Sequence, residues 1–335
     1  MRESTEAQTR PLWNRRAYLQ EYTHMNILIT SSGRRVELVK LAKKTLQKYG
    51  GKVVAADASP SAPTSKFADS FEVIPRISDT RFIPSLLEIC KRRSIDILIP
   101  TIDTELSALA ENAGEFSKIG VLANISSPDV IKICRNKINT QKFFEQNGIL
   151  APQFVGPDTP SDKVKYPVFI KPLDGSSSIN AFRVETPKEL DFFRSYVPNP
   201  IVQEMVSGQE YTIDVFCDFE SNPITIVPRR RLAVRSGEIL KGQTVRDEAL
   251  IGAAKNLLAK LKPFGHITIQ CIKNSQGIFF IEINPRFGGG APMSIMAGAN
   301  SIENLVRLKL GEKLAYDETW REGLTFSRFD DSVII

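Results

Sequence analysis

Residues 277–290 read GIFFIEINPRFGGG. A glycine turn leads into an apolar segment, 278–281, which reads as a buried strand. Polarity then changes at every second position, giving Glu282, Asn284 and Arg286. Side chains alternate between faces along a strand, so these three can point into a cleft while Ile283 faces a core. A carboxylate and an amide oxygen are hard donors suited to Mg²⁺, which shares its shell with phosphates. An arginine two residues on can neutralise phosphoryl oxygens bidentately. Taken alone, E-x-N reads as a solvated strand end. What argues for a site is Gln270, on the preceding apolar strand 266–272, because antiparallel pairing across the turn at 274–277 brings it near Glu282.

E-x-N-x-R closing a strand, with an acid or Gln on the hairpin partner, resembles the metal-binding end of the ATP-grasp fold. The form EINPRFGGG is most similar to stand-alone ATP-grasp proteins related to the carbamoyl-phosphate synthase large subunit. The resemblance covers about residues 25–311. It implies an α/β and α+β chain: an N-terminal Rossmann-like parallel sheet, the pre-ATP-grasp domain, followed by a two-lobed ATP-grasp fold. The expected boundaries are a polar extension at 1–24, the first domain at 25–125 and the ATP-grasp domain at 126–335, with a small lid lobe at about 152–205.

Composition narrows the alternatives. The chain has 335 residues, enough for two or three modest domains, and its 42% apolar residues can supply their cores. The net charge of +6 favours anionic ligands mildly, but the basic residues are spread along the chain. They are not interleaved with aromatics as in RNA or single-strand binding, so no nucleic-acid partner is expected. Four scattered cysteines without a C-x-x-C pair read as buried free thiols in a reducing cytoplasm. Two histidines leave no His-based metal site and no Ser-His-Asp arrangement. No apolar run approaches the ~20 residues of a membrane span. The N-terminus lacks the apolar core of a signal peptide.

From Met25 onward, strands and helices alternate. Strands are expected at 26–30, 53–56, 71–74, 95–99 and 120–123, with helices at 36–49, 82–92 and 104–113, which argues for a parallel sheet covered on both faces. The fingerprint G-x-G-x-x-G is missing, with only Gly33 present, so a dinucleotide site is disfavoured. The segments 31–35 and 101–105 should line one crevice. There Asp103 and Glu105 either meet an amine or cap the next helix, and capping is the stronger reading.

A helix is expected at 140–147, just after Lys137. Residues 152–167 form a linker, and strands 168–170 and 180–184 flank the Gly/Ser loop 173–178. Such a loop can present backbone N–H groups to phosphates, or it can be an ordinary hairpin; it lacks the Walker A order. The densest cationic run is 228–235, and the loop Gly288–Gly290 suits close backbone approach to a substrate. Residues 311–335 carry little pattern. Their apolar end, 333–335, is a candidate for docking on a second copy.

The resemblance implies roles for these positions. Lys137, Lys171, Ser176 and Ser177 would contact ATP phosphates. Glu204, Met205 and Val206 would form the adenine hinge, and Glu210 would take the ribose hydroxyls. Gln270, Glu282 and Asn284 would hold two Mg²⁺, with Mn²⁺ as the alternative ion. Arg286 would serve the reacting groups together with one or two arginines of 229–235, of which Arg230 and Arg231 are chosen. Gln270 stands where many members carry an acid, removing one negative charge at the metals. The implied activity joins a small-molecule carboxylate to an amine through an acyl phosphate, releasing ADP and phosphate. A carboxylate or bicarbonate kinase of the carbamoyl-phosphate type and a non-catalytic nucleotide-binding regulator remain as alternatives. The expected partners are small molecules, with a homodimer as the candidate assembly.

Overall fold

Fully buried, largely apolar strands such as Ile27–Thr30 and Ile97–Pro100 can be accommodated only in a sheet covered on both faces. The computed structural model, which describes residues 24–174 and 179–335, places them at the centre of such a sheet. Strands β1 (Ile27–Thr30), β2 (Val53–Asp57), β3 (Ser70–Val73), β4 (Ile97–Pro100) and β5 (Leu122–Ala123) are parallel in the order β3-β2-β1-β4-β5. Helices α1 (Val36–Leu46), α2 (Phe82–Arg92), α3 (Leu106–Glu111) and α4 (Ala113–Lys118) accompany them. The strand order reverses between β1 and β4, and a doubly wound sheet opens its ligand crevice at the carboxyl ends of such a pair.

Two helices differ from the sequence expectation. The segment expected at 36–49 stops being α-helical at Leu46 and finishes as a 3₁₀ turn, Gln47–Tyr49, closed by left-handed Gly50. The single helix expected at 104–113 is divided, because Asn112 leaves helical geometry and turns its amide back to Ala108 O at 2.9 Å.

Helices α5 (Pro128–Arg135) and α6 (Lys137–Gln146) follow. The small lobe then consists of β6 (Phe154–Val155), β7 (Val168–Pro172), β8 (Phe182–Val184), α7 (Pro187–Tyr196) and β9 (Pro200–Glu204). Its antiparallel sheet has the order β6-β9-β7-β8 and a small core of its own that includes Val168, Ile170, Val184 and Leu190. The loop expected to cover the phosphates, with Ser176 and Ser177, lies outside the described residues.

The largest sheet is antiparallel, β14-β13-β10-β11-β12-β15. Its strands are β10 (Gln209–Cys217), β11 (Pro223–Arg235), β12 (Glu238–Thr244), β13 (Gly265–Asn274), β14 (Gly277–Asn284) and β15 (Thr325–Ser327). Helices α8 (Glu248–Leu261), α9 (Ala291–Ala297) and α10 (Ser301–Lys309) complete it. Strand β15 comes from the segment in which the sequence showed little pattern, and it pairs with β12 at Lys241, Gly242 and Gln243.

Ile27, Ile29 and Val39 of the parallel sheet and α1 share one apolar core with Phe216, Phe287, Ile302 and Leu305. All four cysteines are free. Burial pushes the Cys217 thiol up to about 12, which leaves it unreactive. Among the described residues no helix is long and apolar enough to cross a membrane.

Candidate active site

A cleft of about 840 Å³ opens where the three sheets meet. Its floor is the β13–β14 hairpin, whose short turn pairs Asn274 with Gly277 and so fixes the register. Gln270 therefore stands directly opposite Glu282, and Thr268 opposite Asn284. A register shift leaves Ile281 without a partner between the pairs Gln270–Glu282 and Cys271–Phe280. Such a bulge re-aims the residues beside it, and Ile281 joins Glu282 and Asn284 in lining the cleft.

These polar groups form a chain of contacts. Arg231 Nη1 donates to Gln270 Oε1 at 3.1 Å, and Gln270 Nε2 donates to Glu282 Oε2 at 3.2 Å. Arg286 pairs with Asp103 and lies 3.4 Å from Asn284 Oδ1. That ion pair ties the end of β14 to the loop after β4. Glu105, two residues on, is fully buried and accepts from Thr101 N–H at 2.8 Å, Ile102 N–H at 3.2 Å and the Ser31 hydroxyl at 2.9 Å. Glu105 thus takes the capping role, one of the two expected for it and Asp103, while Asp103 serves Arg286.

Two lysines enter from above. Asn136 accepts from Ile138 N–H at 2.9 Å and Asn139 N–H at 3.1 Å, starting α6 and setting Lys137 in its first turn. Lys137 Nζ donates to Leu173 O at 2.8 Å. The side chain of Lys171, near the end of β7, makes no hydrogen bond with the described residues. Burial lowers its pKa to about 8; Glu282 opposes the fall and Lys137 adds to it. Both lysines therefore lie within electrostatic reach of the Glu282 carboxylate.

Across the cleft, Glu204 ends β9, with its N–H on Gln153 O at 2.9 Å and its carboxylate on Gln153 N–H at 3.0 Å. Met205 and Val206 follow it along the wall. Glu210 is half-exposed, with Oε2 at 3.2 Å from Arg231 Nε, an ion pair without hydrogen-bond alignment.

Glu282, Asn284 and Gln270 offer one carboxylate and two amide oxygens. Among the described residues no cluster of three His, Cys, Asp or Glu side chains could hold a metal by itself. An oxygen-only set of low charge fits an ion that arrives with phosphate oxygens, as Mg²⁺ does, and not a permanently caged metal.

Two family models match the chain. One, for a PylC-like N-terminal domain, covers residues 27–124; the other, for ATP-grasp in the biosynthetic pathway with Ter operon, covers residues 197–331. Residues 197–331 thus carry an ATP-grasp domain. Among its relatives, 3-methyl-D-ornithine--L-lysine ligase of Methanosarcina acetivorans is 27% identical over 261 residues, which is 76% of this chain and 66% of the relative. The chain thus spans just under two thirds of that protein. The carbamoyl phosphate synthase large chain of Thermomicrobium roseum is 22% identical over 84% of this chain and 28% of its own length. In three dimensions, a biotin carboxylase–β,γ-ATP complex from Campylobacter jejuni superposes with a TM-score of 0.71 at 14% identity, over 90% of this chain and 75% of that one.

Within this ATP-grasp cleft, Lys137, Lys171, Glu204, Met205, Val206, Glu210, Arg231, Gln270, Glu282, Asn284 and Arg286 all line one space. Arg230 does not. It stands opposite Tyr211 on the neighbouring strand, and opposed residues share a face, so it points to the core side of β11. The cleft receives Arg229 instead, opposite Thr212.

Sequence reading missed the setting of Arg229. It is buried, with Nε on Asp214 Oδ2 at 2.8 Å, and Asp214 also accepts from Ser294 Oγ at 2.6 Å and Thr268 Oγ1 at 3.2 Å. Thr268 in turn accepts Gly288 N–H at 3.2 Å. A Cβ on Gly290 would sit 2.6 Å from Arg229 Nη1, so the glycine loop of this ATP-grasp chain rests on that guanidinium. The available signal was the charged Asp214 inside the otherwise apolar strand YTIDVFC, since an isolated buried charge demands a partner.

Proposed function

We propose that this ATP-grasp protein is a ligase that activates a small-molecule carboxylate as an acyl phosphate and couples it to an amine, with release of ADP and phosphate. One observation carries the reading: Lys137, Lys171, Glu282 and Arg286, contributed by α6, the small lobe and the β13–β14 hairpin with its following loop, converge on a single cleft. On this reading residues 25–125 form the first domain and 126–335 the ATP-grasp domain, with the small lobe at about 152–205, acting in the cytoplasm.

The adenine lies against the 204–206 hinge, where backbone groups suit the edge of a flat base. The Glu210 carboxylate accepts from the ribose diol. Lys137 and Lys171 meet the phosphates as point charges. Glu282 and Asn284, with Gln270, would hold Mg²⁺ or Mn²⁺, two ions in the full reading, and the metal supplies charge neutralisation at the β- and γ-phosphates. Arg286 and Arg231 orient the acid beside the γ-phosphate. A carboxylate oxygen attacks γ-phosphorus and the bond to ADP breaks. The amine nitrogen then attacks the acyl carbon, loses its proton, and phosphate leaves.

Lys137, Lys171 and Arg286 gather at the terminal phosphates, whereas the adenosine end offers the carboxylates Glu204 and Glu210, with Arg231 3.2 Å from Glu210. That distribution favours γ-phosphoryl transfer over adenylation. Hydroxylamine as the amine should trap a hydroxamate, with ADP as the nucleotide product resolved by chromatography. Stoichiometric AMP and pyrophosphate would sink the acyl-phosphate mechanism.

A further inference from the structure

Where the cleft runs between the loop after β1 and the glycine loop, it carries a charge pattern of which the proposed chemistry uses only Arg286. Arg35 Nη1 lies 3.3 Å from Glu238 Oε1, and Arg34 Nη2 lies 3.7 Å from the same oxygen. Arg328 Nη1 donates to the other carboxylate oxygen at 2.7 Å and to Ile239 O at 3.2 Å. Three guanidiniums therefore engage one carboxylate. Arg286 is close enough to act on Arg35 electrostatically and, among the described residues, is ion-paired with Asp103 alone. Four arginines face two carboxylates: Arg35, Arg286, Glu238 and Asp103 line the cleft, Arg34 and Arg328 stand behind them, and the cluster as a whole is left positive.

Arg35 is the most enclosed of the three around Glu238. Burial pulls its pKa below the ordinary arginine value; Glu238 opposes this, and the charges of Arg286 and Arg328 deepen it. An Arg–carboxylate contact of full strength is ~2.7–2.9 Å, so the 3.3 Å contact leaves Arg35 short of its complement. The guanidinium lines the cleft beneath Gly289, where a Cβ would sit 2.7 Å from Arg35 Nη1 and 3.0 Å from Glu238 Oε2. Arg286 Nε is buried nearby without a hydrogen-bond partner among the described residues. A planar fork already shared with Glu238 suits a singly charged, planar anion.

We propose that Arg35, set in place by Glu238 and Arg328, binds a second, non-reacting carboxylate of the acid that is activated, so that the acid substrate is a dicarboxylate, acidic amino acids included. The inference deepens the ligase reading and rests on it. It also gives the C-terminal strap a role in binding. Arg328 follows β15, and the strap is secured one step on by the two-pronged pair of Arg235 with Asp330 at 2.7 and 2.9 Å.

With hydroxylamine as a common acceptor, only the acid varies. Succinate, glutarate and L-glutamate are compared with butyrate and valerate, reading hydroxamate and ADP. A diacid should exceed its monoacid counterpart about tenfold or more in kcat/KM, the scale of one charge-assisted contact. Arg35→Gln should raise KM for the diacid about tenfold with kcat nearly kept, the pattern of lost ground-state binding. Arg328→Gln, on the edge strap and less disruptive to folding, should give a smaller rise in the same direction. Neither substitution should move KM for ATP. Equal use of diacids and monoacids, or an unchanged diacid KM in both variants, overturns the proposal. So does the absence of hydroxamate from every acid while MgATP still raises the melting temperature, and that result leaves the nucleotide site standing. Loss of MgATP binding itself would instead strike the ligase reading.

Discussion

Two arginine–carboxylate pairs lie side by side on β10 and β11, one at the foot of the cleft and one at its rim. At the foot, Arg229 and Asp214 are 1% and 2% exposed and meet at 2.8 Å. Burial is the strongest single influence and works to raise the Asp214 pKa, but the Arg229 charge and the hydrogen bonds from Arg229 and Ser294 act together against it and the carboxylate stays below its ordinary range. His266, 3.9 Å from Asp214, adds no full charge to the pair, because burial brings its pKa down to about 4 and the ring is neutral at pH 7. At the rim, Glu210 is half-exposed and lies 3.2 Å from Arg231 without hydrogen-bond alignment. Both pairs join the same charge types across the same strands. The enclosed pair cannot exchange partners without leaving a bare charge, so it fixes the floor under Gly288–Gly290. The rim pair is wet and can trade its contact for a ligand hydroxyl. Burial, more than residue type, separates framework from binding surface here.

The sharpest way to break this contrast is Asp214→Ala. It strands the Arg229 charge and should lower stability by about 3–5 kcal/mol in urea unfolding. A loss below about 1 kcal/mol would place the foot pair in the same class as the rim pair. Glu282→Gln comes next. It should reduce ADP formation by about 100-fold or more while circular dichroism is unchanged, since it removes the one carboxylate offered to the metal. Turnover within a few-fold of wild type would show that this carboxylate is framework too.

The third effect is read against pH. Lys171 titrates near 8 in the folded protein instead of its ordinary 10.5. Affinity for MgATP should therefore weaken as pH rises through 8, and Lys171→Met should flatten that dependence in a calorimetric titration. The linkage sign agrees: between 8 and 10.5 the unfolded chain holds the proton more tightly, so the penalty this lysine imposes on folding fades across that window. An unchanged slope in the variant would show that Lys171 is not the titrating group. The smallest effect belongs to Glu210→Ala. Stability should stay within about 0.5 kcal/mol while KM for ATP rises several-fold. A stability loss like that of Asp214→Ala would erase the contrast.

The part of the site visible in the sequence was local. The turn at 274–277 and two apolar strands were enough to bring Gln270 to Glu282, because hairpin register follows from the turn. Alternation along β14 likewise placed Glu282, Asn284 and Arg286 together. The choice of Arg230 went astray for a non-local reason. In a run of three arginines, strand period alone does not say which face is the cleft, and the pairing of Tyr211 with Arg230 decides it. The cluster at Glu238 was hidden for the same reason, since its partners Arg35 and Arg328 are 203 and 90 residues away. Strand β15 has three residues and sits on an edge, which is too short for a periodic pattern.

The apolar core shared by the first sheet and the last helices bears on modularity. Ile27, Ile29 and Ile97 are covered in part by Ile295, Ile302 and Leu305, which lie almost two hundred residues or more further along the chain. A fragment ending near residue 125 would bare that greasy face to water, and the remainder would bare its mate. The parallel sheet is thus an organ of this molecule and not an exchangeable cassette, and a graft between relatives must carry α9 and α10 along with the sheet they cover.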